Sequence, residues 1–106
     1  MVNRWAGEVE VVLDGEPHRA KLTLGALAEL ECALHEGSLV ELAQRFESGK
    51  FSARDVIALL VAGLRGGGWQ GNAEALSHSE IQGGPIEAAR LAAELLARAF
   101  TFPDET

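Results

Sequence analysis

Asp14 and Gly15 stand between two short runs whose side chains match in only one alignment. A two-residue type I′ turn needs positive φ at both central positions, and Asp-Gly supplies this at low steric cost. Such a turn sets Glu8 opposite Lys21 and Glu10 opposite Arg19, two cross-strand pairs of opposite charge. On the other face it sets Val9 against Ala20 and Val11 against His18, with Leu13 and Leu22 continuing the apolar side. Turn chemistry, alternation and charge therefore select one register for an antiparallel hairpin over residues 8–23. Pro17 belongs where its missing N–H faces away from the partner strand.

After the hairpin the apolar period changes from two to three-and-four, the mark of helices. Thr23 caps the first, over about residues 24–36, with Leu24, Leu27, Leu30 and Leu34 as its apolar stripe and Gly37 as its stop. Ser38 and Glu41 have the spacing of a capping box, and Leu39, Leu42, Ala43 and Phe46 form the stripe of a helix over 39–48. Ser52 and Asp55 open a third helix over 53–65. It carries Val56, Ile57, Leu59, Leu60, Val61 and Leu64, is apolar nearly all round, and is expected at the centre of the core. A short helix over 73–81 follows. A last one, over 85–100, begins at Pro85 and has Ile86, Ala89, Ala93, Leu96 and Phe100 at three-four spacing. The expected fold is α+β, an N-terminal antiparallel β-hairpin followed by a bundle of four to five helices. With 106 residues there is room for one core, so residues 1–106 read as a single domain. Leu27, Leu30, Val56, Leu60, Leu64, Leu96 and Phe100 are the expected interior.

Charge narrows the partners. The net charge is -7, a poor match to nucleic acid or an anionic membrane, which attract basic surfaces. The charge is uneven: residues 1–37 carry 3 basic and 7 acidic groups, 38–68 carry 4 and 3, and 69–106 carry 2 and 6. A near-neutral middle between acidic ends is compatible with ordered self-association. No apolar run approaches the roughly 20 residues of a membrane helix. The start of the chain lacks the apolar stretch of a secretion signal. Cys32 is the single cysteine, which excludes an internal disulfide. A cytoplasmic protein is expected.

The search for chemistry returns little. Gly66, Gly67 and Gly68 lack the Gly-Lys-Ser/Thr ending of a phosphate loop and follow no strand, so they read as a linker between helices. The sharper reading is a docking loop that presents Trp69; the plainer one folds Trp69 back over the core. Cys32 and His35 are three apart on a helix, but no second pair completes a four-ligand metal site, so they read as a buried small thiol and a surface histidine. Ser77, His78 and Glu80 contain a nucleophile, a base and an acid, yet triad members meet through the fold rather than as neighbours. Trp5 reads as a cover for the core edge or as an exposed interface anchor. No metal, no cofactor and no catalytic constellation are expected, and the chain reads as a binding or assembly protein rather than an enzyme. Arginine and aromatic side chains anchor protein interfaces. Arg65 and Trp69, at the end of the most apolar helix, are therefore the candidate partner-binding residues.

Several stretches together resemble a known family. They are Asn3 and Arg4 ahead of Gly7–Val9; Leu22–Glu31; Leu42–Phe46; Ser52–Val56; and Gly63–Gly68. In this order they are similar to the small tail-assembly protein of alphaproteobacterial gene transfer agents and related prophages, a family grouped with phage tail assembly chaperones. The resemblance covers roughly residues 3–100, and Leu22–Glu31 and Gly63–Gly68 are its most specific parts. It implies a non-enzymatic role in which the chain binds the tape measure protein, keeps it soluble during tail morphogenesis, and self-associates. The first alternative is a structural tail tube component, a label also attached to this family. The second, a small enzyme or regulatory subunit unrelated to tails, is disfavoured by the missing active-site groups.

Overall fold

A computed structural model describes residues 7–34 and 39–100. Its elements are β1 (Val9–Leu13), β2 (Glu16–Ala20), α1 (Leu24–Ala33), α2 (Leu39–Ser48), α3 (Ala53–Gly66), α4 (Ala73–Ser77) and α5 (Gly84–Ala99). The fold is the expected α+β arrangement of an antiparallel hairpin followed by five helices.

The hairpin has the expected register. Val9 pairs with Ala20, Glu10 with Arg19 and Val11 with His18. Asp14 and Gly15 both take positive φ, at 52° and 83°. Val9, Val11, Leu13 and Ala20 are buried on one face. An ion pair lies on the diagonal, from Arg19 to Glu8 at 3.7 Å. The outer edge of β1 is occupied near the turn, and the chain just past β2 is held by α3. On the β1 side the Asp14 N–H donates to the Glu80 carbonyl at 2.8 Å, and the Gln82 N–H donates to Val12 at 3.0 Å. On the β2 side the Lys21 N–H donates to the Gly63 carbonyl of α3 at 2.8 Å. Residues 79–81, expected to continue α4, instead lie along β1, where Ile81 forms a bridge with Leu13. The α4 helix thus stops at Ser77 because β1 competes for the backbone groups that follow.

α3 is central, packing on α1, α4, α5 and β2. Leu59, Leu60 and Leu64 are fully buried, with Val56 at the edge of the same surface. Of the other expected core residues, Leu30 and Leu96 are buried and Leu27 is half-buried. Phe100 is not: it is 46% exposed. The buried face of α5 is Ala88, Leu91, Ala92, Leu95 and Leu96, which shares only Leu96 with the expected stripe, and Ile86 is 85% exposed. Both stripes have three-four spacing, but the one that is buried holds three leucines and so removes more apolar area from water. Leu24 is likewise 85% exposed, because Leu22 turns into the core just ahead of it and Ala26 and Leu30 carry the buried face of α1. Cys32, two residues past Leu30, falls on the opposite side of the helix and is exposed rather than buried. Thr23 caps α1 as expected, its side-chain oxygen accepting from Ala26 at 3.1 Å. His35, Gly37, Ser38 and Trp5 lie outside the described residues.

α2 is clamped to the start of α3. Ser52 and Asp55 form the expected capping box. Asp55 also accepts two hydrogen bonds from Arg45, from Nε and Nη2, each at 2.9 Å. Phe46 and Phe51 stack beside this pair with ring centroids 4.5 Å apart, and Leu42 is fully buried. The Arg45 guanidinium holds the Asp55 carboxyl below its ordinary value, against the opposing effect of burial. Because the folded value is lowered, the pair's contribution is full above the unfolded value of 3.8 and is lost as pH falls through the lower folded value. Asp55→Asn should therefore cost about 1.5–3 kcal/mol at pH 7, the range for hydrogen bonds to charged groups. Urea denaturation at pH 7 and again near pH 3 checks this: the gap between wild type and variant should shrink at the acid end.

Candidate functional site

The three glycines that end α3 are a built turn, not a flexible linker. Gly66 is helical and Gly67 is the C-cap. A Cβ on Gly66 would lie 2.1 Å from the Lys21 carbonyl oxygen, and one on Gly67 would lie 1.9 Å from that of Arg19. Both glycines are there for space, because the end of α3 rests directly on the backbone that leaves β2. Gly68 has a different role. It takes φ 111°, its N–H donates to Arg65, and the Trp69 N–H donates to Leu64 at 2.9 Å. Those are the two bonds of a Schellman stop, which places a positive-φ residue after the cap and an apolar one next. Trp69 is that apolar residue, and it packs half-buried against the core.

Arg65 and Trp69, the candidate partner-binding residues, meet at Gly71. Arg65 donates through Nη1 to the Gly71 carbonyl at 3.0 Å. A Cβ on Gly71 would lie 2.2 Å from the indole ring, so glycine there lets the ring lie flat against the chain. Arg65 Nε also donates to Glu29 of α1 at 3.0 Å. The arginine therefore ties α1, α3 and the turn together while its side chain remains 41% exposed.

Beside Arg65 runs a cleft of about 390 Å³ between α1 and α3, closed at one end by Asn72 and Ala73. Its floor is apolar: Leu30, Ala33, Ile57, Ala58 and Val61. Ile57, Ala58 and Val61 recur at helical spacing and are only half-buried. Arg54 and Arg65 bracket them on α3. The expectation of a helix apolar nearly all round contained this signal, because a stripe wider than the core covers is left partly open. Sequence reading singled out Arg65 but not the groove it borders.

The other motifs do not converge. The Ser77 and Ser79 hydroxyls donate to α4 carbonyls, at 2.8 Å to Glu74 and 2.9 Å to Ala75. His78 is the C-cap of α4. Among the described residues no three His, Cys, Asp or Glu side chains stand together as a metal site. No described helix is long and apolar enough to cross a membrane.

In comparison with known proteins, a family model described as "Phage tail tube protein, GTA-gp10" matches residues 6–101. No curated protein matches, and no solved structure matches. The match agrees with a phage or gene-transfer-agent tail protein. Its description names the tube rather than a chaperone, and so favours the tail tube alternative over the chaperone reading.

Proposed function

From the premise that this chain belongs to the phage tail tube protein family GTA-gp10, we propose that it is a structural component of the tail tube. The observation that carries this reading is the extent of the match, residues 6–101 of a 106-residue chain. Binding and building, not catalysis, are its business on this reading. A second reading is supported by the α1/α3 groove: a chaperone that holds the tape measure protein before the tube forms around it. Amphipathic helices dock in apolar grooves of this kind, and Arg65 stands on the rim with Trp69 in the adjoining turn.

The composition of purified particles separates the two. A tube component should be abundant there, in many copies per particle by quantitative mass spectrometry. Absence from the particle, together with raised solubility of the tape measure protein on co-expression, would transfer the assignment to the chaperone reading. In that case Arg65→Ala should weaken co-purification with the tape measure protein under conditions where circular dichroism shows the variant still folded, since the change also removes the bonds to Glu29 and the Gly71 carbonyl.

A further inference from the structure

We propose that α2 is a hinged flap. It lifts about Gly49 when the Arg45–Asp55 pair parts, while the hairpin and the other four helices stay folded. The inference goes beyond the proposed function and does not depend on which of its two readings holds.

α2 is attached differently from the other helices. α1, α4 and α5 each pack closely on α3, and no such close packing of α2 on another element is present among the described residues. Leu42 is the one buried residue of the ten in α2, whereas α5 buries five and α3 seven. Elements that open locally are drawn from regions with few buried apolar contacts. The seams around α2 are also unfilled. A cleft of about 330 Å³ separates it from α5, with Ala43, Phe46, Leu96 and Phe100 in the walls. A second, of about 290 Å³, is lined by Arg45, the end of α1 and the start of α3. Packed interiors hold few voids larger than a water molecule, so neither seam is core-like.

The described ties of α2 sit at its C-terminal half and can part cleanly. The Arg45 side chain is 31% exposed in the closed form, so its guanidinium passes readily into water. Asp55 is not orphaned when Arg45 leaves. It still accepts from the Ser52 N–H at 3.0 Å, and the Ser52 hydroxyl still accepts from the Asp55 N–H at 3.1 Å. The cap of α3 therefore survives the opening. The Phe46–Phe51 stack spans the connection between α2 and α3. Within that connection Gly49 takes φ 78°, and a Cβ built on it meets nothing within 4 Å. The chain has room to turn there.

Amide hydrogen exchange of the full chain, read by mass spectrometry, tests the flap. Once lifted, a helix of ten residues is marginal in water and gives up its amides. In wild type the amides of residues 43–48 should exchange at least about 100-fold faster than the slowest of α3. Low urea should speed α3 and scarcely touch α2, because opening one helix exposes little surface. Arg45→Gln removes the latch and spares the cap. It should speed α2 by about tenfold or more, the loss of hydrogen bonds between charged groups. Leu13→Ala, in the hairpin, should speed α3 and α5 and leave α2 unchanged. Three outcomes would overturn the proposal: α2 amides as slow as those of α3, α2 rates that follow α3 in urea or in Leu13→Ala, or an Arg45→Gln variant whose α2 exchanges as wild type does. The urea series needs no variant, so the flap is tested even if a substituted chain fails to fold.

Discussion

Gly67→Ala should destabilise the protein by about 3 kcal/mol, at or above the upper end for overpacking a well-filled site. Glycine's conformational freedom is not the reason, because Gly67 has φ -91° and ψ 0°, which alanine adopts. The reason is space. The added methyl would meet the Arg19 carbonyl oxygen at 1.9 Å and its carbon at 2.6 Å. These atoms belong to a strand held by β1 on one side and by α3 on the other, so the helix end must move instead. Movement there strains the Lys21–Gly63 hydrogen bond and the Trp69 stop together. Gly25→Ala supplies the control. That glycine is helical with nothing within 4 Å of a built Cβ, so alanine should be neutral or stabilising by up to about 1 kcal/mol. Urea denaturation of the three proteins measures both changes. Equal stability of Gly67→Ala and wild type would show that the α3–β2 contact yields readily.

Leu60→Ala should cost about 2–5 kcal/mol, the range for an aliphatic truncation that leaves a cavity. Leu60 is 1% exposed on the helix that packs against both α1 and α5. Its neighbours come from separate elements, each fixed by its own backbone bonds, so they have little room to collapse into the space. A loss below about 1 kcal/mol in chemical denaturation would mean that the surrounding helices close up around the truncated side chain.

What was legible in the residues was what local physics decides. The hairpin register could be read because turn type, alternation and charge agree within residues 8–23, and the Ser52–Asp55 cap because it acts over a single turn. Features that depend on distant partners were not legible. Asp55 looked complete as a cap, and nothing in its neighbourhood pointed ten residues back to Arg45. The buried face of α5 was misjudged because two stripes of equal periodicity compete, sharing Leu96, and the leucines at 91 and 95 decide between them only once α3 is in place. The glycines ending α3 read as a break, whereas two of them are set by the backbone of a strand more than 40 residues earlier. The candidate site was half visible. Arg65 and Trp69 stood out by residue type, but their meeting at Gly71 and the groove beside Arg65 belong to the assembled fold.

The covered edge of β1 bears on how the protein survives crowding by its own kind. A two-stranded ribbon with bare edges is a template: any extended segment can add to it, and added segments template more, as in amyloid growth. Here the Glu80–Gln82 segment caps the edge near the turn of β1, and the Gly63 carbonyl meets the chain leaving β2. Pro17, exposed on β2, has no N–H to offer a newcomer. Recruitment through backbone pairing is thereby discouraged.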